Sequence, residues 1–153
     1  MNDIQITITG DKELLQKFKS FLGSGDLNLK RSLSASGLYL TRFFGGEVFV
    51  SRGRVIGEPW ASLNPSYAAW KARMFPGRPP LIQTGEMQRS FFFKPAARTL
   101  ELGNSSRLFD IHNEGRGNVP QRVMMKIDDQ RAARVAKYIV GDLSEQMTKA
   151  GLL

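Results

Sequence analysis

Apolar and polar positions along this chain follow two rhythms, and the change from one to the other marks out the elements. Residues 3–10 place Ile4, Ile6 and Ile8 alternately with polar neighbours, the period-two pattern of a strand with one buried face. Gly10 ends it, and Asp11 is placed to cap a helix over 11–22 in which Leu14, Leu15, Phe18, Phe21 and Leu22 recur at three- and four-residue steps. A second helix is predicted over 27–43, with Leu29, Leu33, Leu40 and Phe44 on one face; Ser34, Ser36 and Gly37 work against it. Beyond Gly45-Gly46, two short β-branched runs flank Ser51-Arg52-Gly53-Arg54, which predicts a protruding β-hairpin arm at about 46–58 with Arg52 and Arg54 at its tip.

Asn64-Pro65 is a helix start: a capping side chain, then a residue whose missing N–H costs nothing in the first turn. The helix is short, because Pro76-Gly77 ends it and the Pro-rich stretch to Pro80 is extended loop. Thr84-Gly85 opens a single helical turn. Residues 90–94 and 98–103 read as antiparallel strands joined through Pro95-Ala96-Ala97. Asp128 or Asp129 caps a long final helix, with Ala132, Val135, Ala136, Ile139, Val140, Leu143 and Met147 as its apolar stripe. The sum is one α+β domain over 1–153: a small antiparallel sheet with helices packed on one face, a basic hairpin arm and a long C-terminal helix.

Composition narrows the chemistry. The chain has no cysteine and one histidine, which removes disulfides, thiolate nucleophiles, iron–sulfur clusters and His-rich zinc sites. No apolar run has the length of a membrane span, and the first residues lack the basic start and apolar stretch of a secretory signal, so a soluble, cytosolically made product is expected. His112 has neither a Gly-x-Ser-x-Gly elbow nor an evident orienting partner, no paired carboxylates suggest a divalent metal, and no phosphate-binding glycine loop is present. The expectation is a non-enzymatic protein with no cofactor, no metal and no small-molecule substrate. Trp60, Tyr67 and Trp70 carry rings that can stack on bases, but their spacing favours core anchoring.

Charge changes the picture most. The net charge is +8, and its excess sits in one stretch. Residues 1–29 hold three basic and four acidic side chains and residues 99–153 eight and seven, whereas 30–98 hold eleven basic and three acidic ones. Lys30, Arg31, Arg42, Arg52, Arg54, Arg78 and Arg89 are the candidate contacts to DNA in a channel or to a neighbouring subunit, since such a concentration attracts polyanions and acidic surfaces.

Four segments then bear comparison as a set. Pro59-Trp60-Ala61-Ser62-Leu63-Asn64-Pro65-Ser66-Tyr67 with Lys71, Pro80-Leu81-Ile82-Gln83-Thr84-Gly85-Glu86-Met87-Gln88-Arg89-Ser90, Ile111-His112-Asn113-Glu114-Gly115, and Val119-Pro120-Gln121-Arg122 resemble, in order and spacing, the motifs of the tailed-phage virion morphogenesis (tail completion) family of Mu-like and related contractile-tailed phages. The resemblance spans roughly residues 27–149. Met87, Gln121 and Val123 depart from the family's usual residues, and the stretch at 47–56 is longer and more basic.

The resemblance implies a virion structural protein at the head–tail junction or tail end, assembled as a homo-oligomeric ring, often six-fold, around the DNA channel and contacting other phage neck or tail proteins. Its motif residues here are Trp60, Leu63, Tyr67, Lys71, Leu81, Thr84, Gly85, His112, Gly115, Pro120 and Arg122. Of these, Trp60, Leu63, Tyr67 and Leu81 are expected core anchors, Thr84-Gly85 a cap, and Pro120 the entry to a short final strand. His112 and Arg122 either fix loop geometry or reach a neighbouring subunit. The basic segment faces either the DNA channel or an acidic ring. The alternative to this reading is a basic DNA-binding accessory or regulatory domain.

Overall fold

The computed structural model describes residues 12–25 and 27–153; the strand predicted over 3–10 lies outside the described residues. The elements run α1 (Lys12–Gly23), α2 (Lys30–Phe43), α3 (Phe49–Ser51), α4 (Pro65–Met74), α5 (Glu86–Arg89), β1 (Phe91–Pro95), β2 (Leu100–Asn104), α6 (Phe109–Glu114) and α7 (Asp129–Lys149). The class is α+β, with a two-stranded antiparallel sheet in which Phe91 faces Asn104 and Phe93 faces Leu102. α2 packs on both strands and α7 packs on α2. Among the described residues no third strand joins the sheet.

The small residues that weaken α2 on propensity are what let it lie close to the sheet. A Cβ on Gly37 would stand 2.5 Å from Cγ of Phe93, closer than real Cβ contacts come. Ser32 and Ser36 are buried, and their hydroxyls donate back to the carbonyls of Leu29 and Ser32 at 3.0 and 2.8 Å. On its other side α2 meets Asp142 of α7, whose carboxylate accepts from the Ser32 amide at 3.2 Å and from Arg31 at 2.9 Å. Burial alone would raise the Asp142 pKa, but the hydrogen bonds from Ser32, Gln146 and Arg31 outweigh it and hold the carboxyl below its ordinary value.

The expected hairpin arm is not there. The chain winds on from α2 through a π-type turn (Phe44–Val48) into α3, reverses at Arg52 and Gly53 (φ 53° and 78°) and closes a 3₁₀ turn at Arg54–Ile56. Phe44, Val48 and Phe49 are completely buried and Ile56 nearly so; this stretch is the centre of the core. The reason lies in the periodicity: Leu33, Leu40, Phe44 and Val48 continue one helical face across the two glycines, and that face outcompetes the short β-branched runs. Gly45 serves close approach, because a Cβ there would stand 2.6 Å from the Gln88 carbonyl oxygen.

Two apolar clusters meet in this core, one around Leu40, Phe43, Phe44, Val48 and Ile56, the other around Phe49, Ile82, Met87, Phe109 and Met124. Trp60, Phe91 and Met125 pack against both. The ring of Phe49 meets Trp60 edge-on at 5.2 Å, and Phe91 meets Phe44 and Phe109, both at 5.7 Å.

In α7 the Asp128 side chain caps the helix by accepting from the Arg131 amide at 2.9 Å, as its sequence position suggests. The expected face is met in part: Ile139 is buried and Val135, Leu143 and Met147 half-buried, but Ala132, Ala136 and Val140 face solvent, and Arg131 and Asp142 are buried instead. Polar residues can occupy that face because each has a partner. The Arg131 guanidinium lies 4.2 Å over the Phe43 ring and 3.0 Å from the Asp128 carboxylate.

Candidate functional site

Three of the four compared segments meet at Arg122, and the first of them opens α4. Asn64 accepts from the Ser66 amide at 3.0 Å, Pro65 occupies the first helical position, and the helix runs to Met74 before Phe75 leaves helical geometry. Such a short helix divides its side chains between two faces. Ala68 is half-buried and Lys71 buried, whereas Tyr67, Trp70 and Met74, at i, i+3 and i+7, point outward and are 43%, 38% and 55% exposed. The Tyr67 and Trp70 rings stack at 5.5 Å, and Phe75 meets Trp70 edge-on at 5.8 Å. Tyr67, expected in the core, instead helps to form an aromatic face open to solvent.

Behind that face Lys71 is only 3% exposed and donates from Nζ to the Pro79 carbonyl at 2.5 Å, tying α4 to the Pro-rich loop. Arg122 is 4% exposed and donates from Nε to the Ala61 carbonyl at 2.9 Å and from Nη2 to that of Ser62 at 3.0 Å. Its own amide donates to the His112 carbonyl at 2.7 Å. Arg122 thus faces inward and sets the geometry of the 59–63 loop. His112 is half-buried, and its Nδ1 is buried without a hydrogen-bond partner.

Arg122 lies on an extended stretch that is not a strand, although one was expected after Pro120. Side chains rather than a ladder hold it. The Asn113 amide oxygen accepts from the Met124 and Met125 amides at 2.9 and 3.3 Å, and the Trp60 indole N–H donates to the Val123 carbonyl at 2.7 Å. Gly115, at φ 69°, lets the α6 end turn beneath this stretch; a Cβ there would sit 2.8 Å from the Gln121 amide nitrogen.

Charge at this junction is of one sign. Burial lowers the Lys71 pKa and the positive Arg122 lowers it further; the same two causes, in the same order, hold His112 below its ordinary value. Burial also lowers Arg122. The chemistry available is that of fixed donors and cations in a water-poor niche, suited to holding carbonyl or carboxylate oxygens.

The remaining predicted residues are distributed around this centre. Leu63 and Leu81 are half-buried, and Leu81 holds a left-handed backbone (φ 63°) just before the buried Ile82. The Thr84 hydroxyl accepts from the Glu86 amide at 3.3 Å, with Gly85 at φ 81° as the residue preceding α5. Pro120 is exposed at the start of the extended stretch.

Of the candidate contact cations, Arg31 is engaged by Asp142 and Glu145, whose pKa is held at about 2 by hydrogen bonds from Arg31 and then Lys149. Arg89 donates to the Thr84 carbonyl at 3.2 Å. Lys30, Arg42, Arg52, Arg54 and Arg78 are exposed and scattered over α2, the turn after α3 and the Pro-rich loop. They do not converge on the junction.

Sequence reasoning missed Asn113, whose side chain reaches the extended stretch at Met124 and Met125. It missed the outward face of α4 as well; the i, i+3, i+7 spacing of Tyr67, Trp70 and Met74 beside an inward Lys71 is the pattern that could have revealed it. Among the described residues no group of three His, Asp or Glu side chains is placed to hold a metal ion, and no helix is long and apolar enough to cross a membrane. Comparison with protein-family models, curated proteins and solved structures gives no match.

Proposed function

We propose that this chain is a structural subunit of a phage virion, at the head–tail junction or tail end, that assembles with copies of itself into a ring and works by docking rather than catalysis. One observation carries the reading: Arg122 joins three of the four compared segments by hydrogen bonds, the fourth shares an apolar cluster with Trp60, and α4, tied by Lys71 to Pro79, carries Tyr67, Trp70 and Met74 on its outer face. A solvent-exposed aromatic stripe with helical spacing suits packing against another protein surface. The head-to-tail contacts of a ring need such a patch on every copy.

The experiment is native mass spectrometry with negative-stain imaging of the purified chain, alone and with virion partners. The wild type forms a closed ring, and Tyr67→Ala with Trp70→Ala abolishes it while leaving the circular dichroism and melting curve of the monomer essentially unchanged. A wild-type chain that stays monomeric under all these conditions, or a double variant that still closes rings, overturns the reading.

The DNA-binding alternative draws on the exposed cations Lys30, Arg42, Arg52, Arg54 and Arg78. It requires the isolated monomer to bind duplex DNA with an affinity that falls steeply with salt.

A further inference from the structure

Two adjoining clefts, of about 510 and 400 Å³, follow the seam between α2 and α7 and share Arg31 and Asp142. The helices run antiparallel there: Arg31 meets Asp142, Tyr39 meets Tyr138, and Phe43 meets Arg131. Small residues keep the groove open. Ala35 is exposed on the α2 side, and beyond its own helix turn a Cβ built on Gly141 would meet nothing within 4 Å. The walls are partly apolar: the Tyr39 and Tyr138 rings, both half-buried, meet edge-on at 6.3 Å. Leu38, 43% exposed and three residues on from Ala35, continues the α2 wall.

Cations stand on both walls, Lys30 and Arg31 on α2 and Arg134 and Lys137 on α7. Asp142 is the acid lining the clefts, and it is taken up by the Ser32 amide and by Arg31; Glu145, one turn on, is held by Arg31 and Lys149. Among the described residues Lys30, Arg134 and Lys137 have no carboxylate partner. Arg134 is nevertheless positioned. Its guanidinium lies 5.7 and 5.5 Å from the Tyr39 and Tyr138 ring centroids, and its Nε donates to the Tyr138 hydroxyl at 3.2 Å.

We propose that the α2–α7 groove is a docking site for an acidic amphipathic helix of another protein. Apolar side chains of the visitor would sit over Ala35 and Gly141 between the tyrosines, and its carboxylates would reach Arg134 and Lys137 on one wall and Lys30 on the other. The α4 stripe of a second copy does not fit, because residues 59–85 hold Lys71, Arg73 and Arg78 and no acid. Duplex DNA gains nothing from Leu38 and the tyrosines. A groove between helices packed about 8–10 Å apart is also too narrow to admit a duplex whose major groove alone is about 12 Å wide. This face is separate from the α4 stripe, so the inference stands apart from the ring reading.

The full-length 15N-labelled protein is titrated with acetyl-Glu-Leu-Ala-Glu-Leu-Leu-Glu-Glu-Leu-Ala-Glu-Leu-Leu-Glu-amide, with its Glu-to-Gln and Leu-to-Ser counterparts, and with a short DNA duplex. The acidic peptide shifts the Ala35, Lys137 and Gly141 amides saturably in the micromolar range, and either counterpart binds at least tenfold more weakly. Arg134→Ser with Lys137→Ser, both exposed in the native chain, weakens binding at least tenfold. Arg52→Ser with Arg54→Ser, which removes the same charge elsewhere, leaves it unchanged.

Equal losses from the two double variants overturn the site, since bulk charge would then account for the binding. So does a Leu-to-Ser peptide that binds as well as its parent, or a duplex that displaces the peptide from these amides at lower concentration. Silent groove amides in a chain that still closes rings sink this proposal and spare the assembly reading; a responsive groove in a chain that never assembles does the reverse.

Discussion

At the scale of single residues, the junction shows cations used as braces for the backbone. Arg122 holds two successive carbonyls of the 59–63 loop with two different nitrogens. Arg122→Lys keeps the charge and loses the fork, and we expect a loss of about 1–3 kcal/mol in urea unfolding. His112 gives a pH signature. Its folded pKa lies below its unfolded value near 6.5, chiefly through burial and then through Arg122. The folded state therefore binds fewer protons than the unfolded one in that range, so the contribution to stability is complete above about pH 6.5 and is lost as pH falls through the folded pKa. Urea midpoints measured from pH 8 to pH 5 should decline, and His112→Gln should flatten the decline over that window. The carboxyls Asp142 and Glu145, also held below their ordinary values, act in a separate and more acidic window.

At the scale of elements, the helix–sheet seam depends on small residues. Gly37→Ala puts a methyl against the Phe93 ring, which is held between α2 and β2, and should cost about 1–3 kcal/mol by thermal or urea unfolding despite the better helix propensity of alanine. Asp142→Ala leaves the buried Ser32 amide without its long-range acceptor and should cost a similar amount, about 1–3 kcal/mol.

These two sites show how far sequence patterns reach. Capping residues and breakers marked α4, the strand pair and the start of α7 well, because Asn64-Pro65, Pro95-Ala96-Ala97 and Asp128 act through their own neighbours. The hairpin expected at 46–58 failed because its outcome depends on distant chain. Gly45 fits beneath the Gln88 carbonyl, and Phe44, Val48 and Phe49 gain more by joining the Phe91 and Trp60 rings than by pairing as strands. The face of α7 was read only in part for a related reason: Arg131 and Asp142 look like surface residues until Phe43 and Ser32 are seen opposite them. Within the candidate site Lys71, His112 and Arg122 stand in the segments singled out above. How they are held was not legible, because α4, α6 and the extended stretch are far apart in the chain.

At the scale of the whole molecule, positive charge serves two separate uses. Lys71 and Arg122 are drawn inward as braces, while Arg52 and Arg54 remain at the surface on the turn that was expected to be an arm. Arg52→Glu with Arg54→Glu should change stability by less than about 0.5 kcal/mol, as exposed substitutions do; under the proposed virion role it should also weaken incorporation into particles, scored by infectivity. Unchanged infectivity would remove those two residues from any assembly role.

Among the described residues the sheet has two strands, and the outward-pointing amides of β1 and β2 have no backbone acceptor there. Deuterium uptake can therefore tell two modes of association apart. Subunits that meet through the aromatic stripe of α4 leave those amides exchanging as before, whereas subunits that lengthen the sheet by lending a strand slow them by orders of magnitude.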